Sequence, residues 1–86
     1  MSRVKEILNE RKTTHGSFVD HAELSTGLKR IVHQHLNASH TNVMIESLDM
    51  IMHKVARILA GSPTHQDHWD DIAGYATLVS KSLEEK

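Results

Sequence analysis

The 86-residue sequence has no cysteine and one proline, and its only aromatic residues are Phe18, Trp69 and Tyr75. Without cysteine, a disulfide framework and a thiolate zinc site are both excluded. With so few aromatic side chains, the core must be built from Leu, Ile, Val, Met and Ala. That composition favours packed helices.

Long apolar runs are also absent, since no segment approaches the roughly 20 residues of a membrane span. The first residues, MSRVKEILNERK, lack the apolar stretch of a signal peptide. The formal net charge of −1 gives no general attraction to nucleic acid or anionic lipid. We therefore expect a cytoplasmic protein that does not bind membranes. Direct DNA binding is the least favoured function.

The chain length predicts a single domain over residues 1–86, close to the lower limit for an independent fold. A chain of this size buries only about 60% of the surface that it exposes when unfolded. A core this modest favours association, so we expect a homo-oligomer, either a dimer or a tetramer.

Apolar residues at helical spacing predict an all-α fold of three to four helices. Ser17, and Thr41 or Asn42, are the expected N-caps of the second and third helices, and Thr64 or Asp67 that of the last. Residues 61–63, Gly-Ser-Pro, should end the third helix, and the short loop predicts a C-terminal antiparallel hairpin. The predicted helices span residues 2–11, 18–36, 43–60 and 67–83.

Histidine, in contrast, is plentiful, with eight residues spread along the chain. We expect most of them to be exposed or half-buried, and stability to depend on pH between roughly 5.5 and 7. They are His15, His21, His33, His35, His40, His53, His65 and His68.

The segment DHWDDIAGYATL, residues 67–78, places three acids around the only tryptophan. Acids in a first helical turn complement the helix dipole, and capping with salt bridges is one interpretation. A metal site is the other. Gly74, beside Ala73 and Ala76, favours close packing of another helix. Trp69 should anchor a core or an interface, with its N–H on a polar partner.

In the third helix Glu46, Asp49 and His53 follow at spacings of three and four residues, which puts them on one stripe. In an antiparallel hairpin, the acids Asp67 and Asp71 would face this helix. Carboxylates from two helices can hold Mg²⁺ or Mn²⁺. Basic side chains nearby, Lys54 and Arg57, would then bind a phosphate. Alternatively, Asp71 and Arg57 pair across the hairpin.

The segment HGSF, residues 15–18, could present backbone N–H groups to an anion at the start of a helix. A tight turn between helices is the other interpretation.

HGSF, HKVARILAG and DHWDDIAGYATL, in this order, resemble a family of small phage-encoded proteins of undefined function. That family is similar in turn to the MazG-like all-α nucleotide pyrophosphohydrolases and to nucleotide-modification-associated domains. Glu46-Ser-Leu-Asp49 matches the E-x-x-D motif of MazG-like enzymes, and Asp71 with Tyr75 resembles their D-x-x-x-Y. An E-E-x-x-E motif is missing from this chain.

The resemblance implies a nucleotide-binding phage protein, in the cytoplasm of the host cell. It would be a Mg²⁺-dependent nucleoside triphosphate pyrophosphohydrolase or a degenerate relative. The alternative is a non-catalytic helical module that binds and modulates a host protein. For the enzyme, the expected roles are catalysis by Asp49 and Asp71 and phosphate binding by Lys54 and Arg57. The expected metal ligands are Glu46, Asp49, Asp67 and Asp71, and the accessory residues are His15, His53, His68 and Tyr75.

Overall fold

The computed structural model describes residues 17–85, which form three α-helices in chain order. These are α1 (Phe18–Gln34), α2 (Asn42–Ala60) and α3 (Gln66–Glu84). The predicted all-α class is confirmed, and within residues 17–85 there is no strand. The helix predicted over residues 2–11, and His15, lie outside the described residues.

Side chains fix the starts of the first two helices, as the sequence predicts. The Ser17 hydroxyl accepts a hydrogen bond from the Asp20 backbone N–H at 3.1 Å, and the Thr41 hydroxyl accepts one from the Met44 N–H at 3.3 Å. Each bond satisfies one of the unpaired N–H groups of a first turn. The α2 helix ends at Ala60, where the sequence turns to Gly-Ser-Pro.

The start of α3 differs from the prediction. His65 occupies the N-cap position and makes no side-chain capping bond. Gln66 is the first helical residue, so Asp67 already lies inside the first turn and Thr64 lies before the cap. The prediction that Thr64 or Asp67 caps this helix is therefore wrong, although Asp67 still complements the dipole of the first turn.

The α2 helix is the centre of the fold. Of the three described helices, α1 and α3 each pack against α2 and not against one another. Contacts near both ends of α1 show that it runs antiparallel to α2, since His21 meets His53 and His33 meets Asp49. The predicted antiparallel hairpin of α2 and α3 is confirmed. Their loop-proximal ends are joined by an ion pair, and their other ends line one groove.

Burial in this fold is unusually polar. Among the described residues, Ala56 is the only fully buried apolar side chain. Four polar residues of the described chain are also buried, at 1–6% exposure: His21, Ser25, Ser47 and His68. A buried polar residue needs an explanation more than an exposed apolar one does. A functional role would explain why these four polar residues are buried, so the functional site is sought among them.

The structure tests two predictions for the DHWDDIAGYATL segment, one for Gly74 and one for Trp69. A Cβ added at Gly74 would have no neighbour within 4 Å, and Ala73 is exposed. Close helix packing on Gly74 is therefore wrong for the described residues. The Trp69 N–H does reach a polar partner, the Pro63 carbonyl, at 2.8 Å. The indole itself is 53% exposed, so it braces the α2–α3 loop instead of filling the core.

Candidate functional site

The predicted acid Asp49 faces α1. Its Oδ1 lies 2.7 Å from Nε2 of His33, near the end of that helix. Asp49 is half-buried and His33 is exposed. This contact was not predicted, because it depends on how α1 crosses α2.

The predicted acid Asp71 lies on α3 and pairs with Lys54 of α2, with 2.8 Å between Oδ2 and Nζ. The hydrogen bond from Lys54, together with its charge, lowers the pKa of the exposed Asp71 carboxyl. The sequence placed Lys54 and Arg57 opposite this acid, and the structure selects Lys54. The alternative pair of Asp71 with Arg57 does not form.

The structure gives Asp49 and Asp71 different basic partners on different helices. Along α2, Asp49 and Lys54 are separated by about 7.5 Å of rise and about 140° of rotation. No described contact joins the two carboxylates. Both carboxylates therefore act first as structural partners between helices, Asp49 through a hydrogen bond toward α1 and Asp71 through an ion pair toward α2.

The other two predicted metal ligands lie at opposite ends of the hairpin. Glu46, near the start of α2, lines a groove together with Tyr75. Asp67 lies at the start of α3, where its Oδ2 is 3.7 Å from His65 Nε2. Residues 17–85 contain no group of three His, Asp or Glu side chains arranged to hold a metal ion. Mg²⁺ or Mn²⁺ binding stays a prediction.

The predicted phosphate-binding residues do lie together, beside a pair of histidines. The Arg57 Nε–H donates to His53 Nε2 at 3.1 Å. His53 in turn meets His21 of α1 edge to face, with 4.5 Å between ring centroids. A third cation, Lys29 of α1, is near enough that its charge acts on both rings. We call Lys29, Lys54 and Arg57 the cationic cluster.

Burial and the cationic cluster keep both imidazoles neutral. Desolvation, followed by the charge of Arg57, lowers the pKa of His53 from 6.5 to about 4. The same two causes lower the pKa of His21, with smaller contributions from Lys29, His68 and Lys54. A third ring, that of His68, is 1% exposed on α3. Near neutral pH, the cations of the cluster thus surround two uncharged rings, those of His21 and His53.

The Nδ1 atom of His21 is the observation in this fold that points most directly to a bound ligand. The residue is 6% exposed, and its buried Nδ1 has no hydrogen-bond partner among residues 17–85. An unsatisfied buried polar atom costs about 1–3 kcal/mol. Such an atom beside several cations is a place where a bound ligand would complete the hydrogen bonding.

Sequence reasoning missed His21 as a site residue, although a signal was present. His21 precedes Leu24 by three residues and so continues the apolar stripe of α1. His68 likewise precedes Ile72 by four residues on the stripe of α3. Both histidines could have been found from the sequence, because each stands at a core position of an amphipathic helix. Of the predicted accessory residues, His53 and His68 belong to this interior, Tyr75 lies in the groove with Glu46, and His15 is outside the described residues.

Comparison with known families identifies the chain. The model of the family described as Domain of unknown function (DUF6378) matches residues 1–83, so the protein belongs to that family. No curated protein and no solved structure matched the chain. No helix among the described residues is long and apolar enough to cross a bilayer.

Proposed function

We propose that this protein binds a nucleotide and holds its phosphate groups at the cationic cluster. The observation that carries the proposal is the buried Nδ1 of His21, which has no hydrogen-bond partner in the described part of the chain and lies beside cations from two helices. A ligand with several acceptor oxygens supplies negative charge for the cations, and its oxygens accept a hydrogen bond from the His21 ring in the tautomer that carries the proton on Nδ1.

The electrostatics of the cluster favour an anion. The cations contributed by α1 and α2 all act on His21 and His53, and Lys54 is paired with Asp71. That carboxylate is exposed, so a phosphate can compete with it for Lys54. Desolvation is the largest cause of the lowered pKa of both histidines, and the positive charge of Arg57 is the next.

A built-in carboxylate site for Mg²⁺ fits the described residues poorly. Asp49 is held by His33 and Asp71 by Lys54, and these contacts use carboxylate oxygens that a metal would need. We therefore propose recognition of phosphate by cations and derive no hydrolytic step from the described residues. Pyrophosphohydrolase activity, implied by the MazG-like resemblance, is a further step that this geometry does not supply by itself.

The test is a titration calorimetry panel of deoxynucleoside triphosphates and inorganic tripolyphosphate, in buffer with EDTA. We expect triphosphates to bind without a divalent ion. Lys29→Gln should weaken binding about tenfold or more, since a charge-assisted hydrogen bond contributes about 1.5–3 kcal/mol.

The neighbouring Arg30→Gln is the matched control, because Arg30 is exposed whereas Lys29 is half-buried and acts on the histidines. Arg30→Gln should leave the affinity unchanged. No heat and no thermal stabilisation with any triphosphate would overturn the proposal, as would equal losses from the two substitutions.

A second candidate, a non-catalytic module that binds a host protein, is favoured by the first turn of α1. Phe18 and Val19 are 80% and 65% exposed there, side by side. Exposed neighbouring apolar side chains are typical of protein-binding surfaces. A pull-down from host lysate that loses its partner with Phe18→Ser, in a protein that binds no triphosphate, would establish this candidate over the first.

A further inference from the structure

A groove of about 630 Å³ lies at the end of the α2–α3 hairpin remote from the cationic cluster. The start of α2 forms one side of it and the last turns of α3 form the other. Its apolar members include Val43, Tyr75 and Leu78. Val43 and Leu78 are 44% and 58% exposed, so the groove leaves apolar surface uncovered.

Charged residues of both signs line the same groove. Glu46 comes from α2, Lys81 from the last turn of α3 and Glu85 from the C-cap position that follows it. All three are exposed. A patch that holds both signs beside apolar surface is complementary to a second copy of itself, because a two-fold axis can bring its lysine against the partner's glutamates.

We propose that this groove is the interface through which two copies of the chain associate. The weak burial of apolar side chains within one chain supports this occupant. Among the described residues only Ala56 is a fully buried apolar side chain, and helices that bury so little apolar surface gain stability by association. Two α2–α3 hairpins joined along this groove form a four-helix arrangement.

The interface is separate from the nucleotide proposal. Lys54 and Asp71 lie near the α2–α3 loop, whereas the groove lies toward the other end of both helices. Association can therefore be tested by substitutions that leave the cationic cluster intact, and either proposal can fail without the other.

Charge reversal tests the groove without introducing a buried change. Lys81→Glu makes its charged set wholly acidic, and the double variant Glu46→Lys with Glu85→Lys makes it wholly basic. In sedimentation velocity over a range of concentrations, we expect the unmodified protein to dimerise. Each variant alone should associate about tenfold or more weakly because like charges then face each other.

An equimolar mixture of the two variants should recover the dimer, since opposite charges meet again. Arg30→Glu, an exposed charge reversal on α1, should leave association unchanged, and circular dichroism checks that each variant is folded. A protein that stays monomeric at high concentration would overturn the proposal. So would variants that dimerise as well as the unmodified chain, or a mixture that recovers nothing.

Discussion

His21 and His53 meet edge to face at an interplanar angle of 83°, and this contact joins α1 to the central helix. Around the pair lie Arg57, Lys29 and Lys54, all of which lower the pKa of both rings. The neutral histidine pair is therefore part of the packing between the helices and also part of the cationic cluster.

Stability should fall as the pH falls below about 6.5. The pKa of His53 is about 4 in the folded chain against 6.5 for an unperturbed histidine. Between these values the unfolded state binds more protons, so unfolding becomes easier as the pH drops, and the stability is fully present above about 6.5. Allowing for solvent screening, we expect a loss of about 1–2 kcal/mol between pH 7 and pH 4.5.

Urea unfolding at the two pH values measures this loss. His53→Gln should flatten the dependence, whereas His35→Gln, on an exposed residue at the end of α1, should preserve it. An unchanged pH dependence in His53→Gln would contradict the assignment.

Replacing His21 should separate stability from binding. Its unpartnered Nδ1 makes the ligand-free protein less stable than an apolar ring of similar size would. His21→Phe should therefore leave the free energy of unfolding unchanged or raise it by up to about 2 kcal/mol, while triphosphate affinity falls. Denaturant titration and calorimetry measure the two effects. A strongly destabilised variant, or one that binds triphosphate as well as the parent, would contradict the proposed role of His21.

Trp69→Phe should weaken the hairpin loop modestly. The indole N–H bond to the Pro63 carbonyl is lost, whereas an aromatic ring remains. A neutral hydrogen bond of this kind contributes about 0.5–1.5 kcal/mol, and the free energy of unfolding should fall by that amount. Unchanged stability in urea, with no faster hydrogen exchange at residues 61–68, would show that this bond does not support the loop.

Both helical glycines should accept alanine. A Cβ at Gly27 or at Gly74 meets nothing within 4 Å, and alanine is favoured over glycine by about 1 kcal/mol inside a helix. Gly27→Ala and Gly74→Ala should each raise the free energy of unfolding by up to that amount. If Gly74→Ala alone lowers stability, a second molecule covers that face of α3.

The three described helices, and their ends apart from the start of α3, could be predicted because they are encoded locally. The apolar spacing along residues 43–60 and the Gly-Ser-Pro sequence after them fix both the length of α2 and its end. The short loop then requires α3 to return antiparallel. That return brought Asp71 near Lys54, as expected from the sequence.

The partners across α1 could not be predicted in the same way. The contact of His33 with Asp49 depends on the angle at which α1 crosses α2, which neighbouring residues do not encode. The expectation that most histidines are exposed or half-buried also kept His21 from being predicted as a site residue. His21 and His68 occupy core positions of their helices, and they are two of the four buried polar residues in the described part of the chain.

The most direct test of the central claim is the triphosphate affinity of Asp71→Asn, measured in EDTA. If cations bind the phosphate, removing the carboxylate that competes for Lys54 should tighten binding about two- to fivefold, since exposed ion pairs contribute up to about 1 kcal/mol. Lys54→Gln should weaken it. If instead Asp71→Asn abolishes binding, the carboxylate takes part in binding and does not compete with the phosphate. In that case, or if the parent protein binds triphosphate only when Mg²⁺ is added, recognition of phosphate by the cationic cluster alone is wrong.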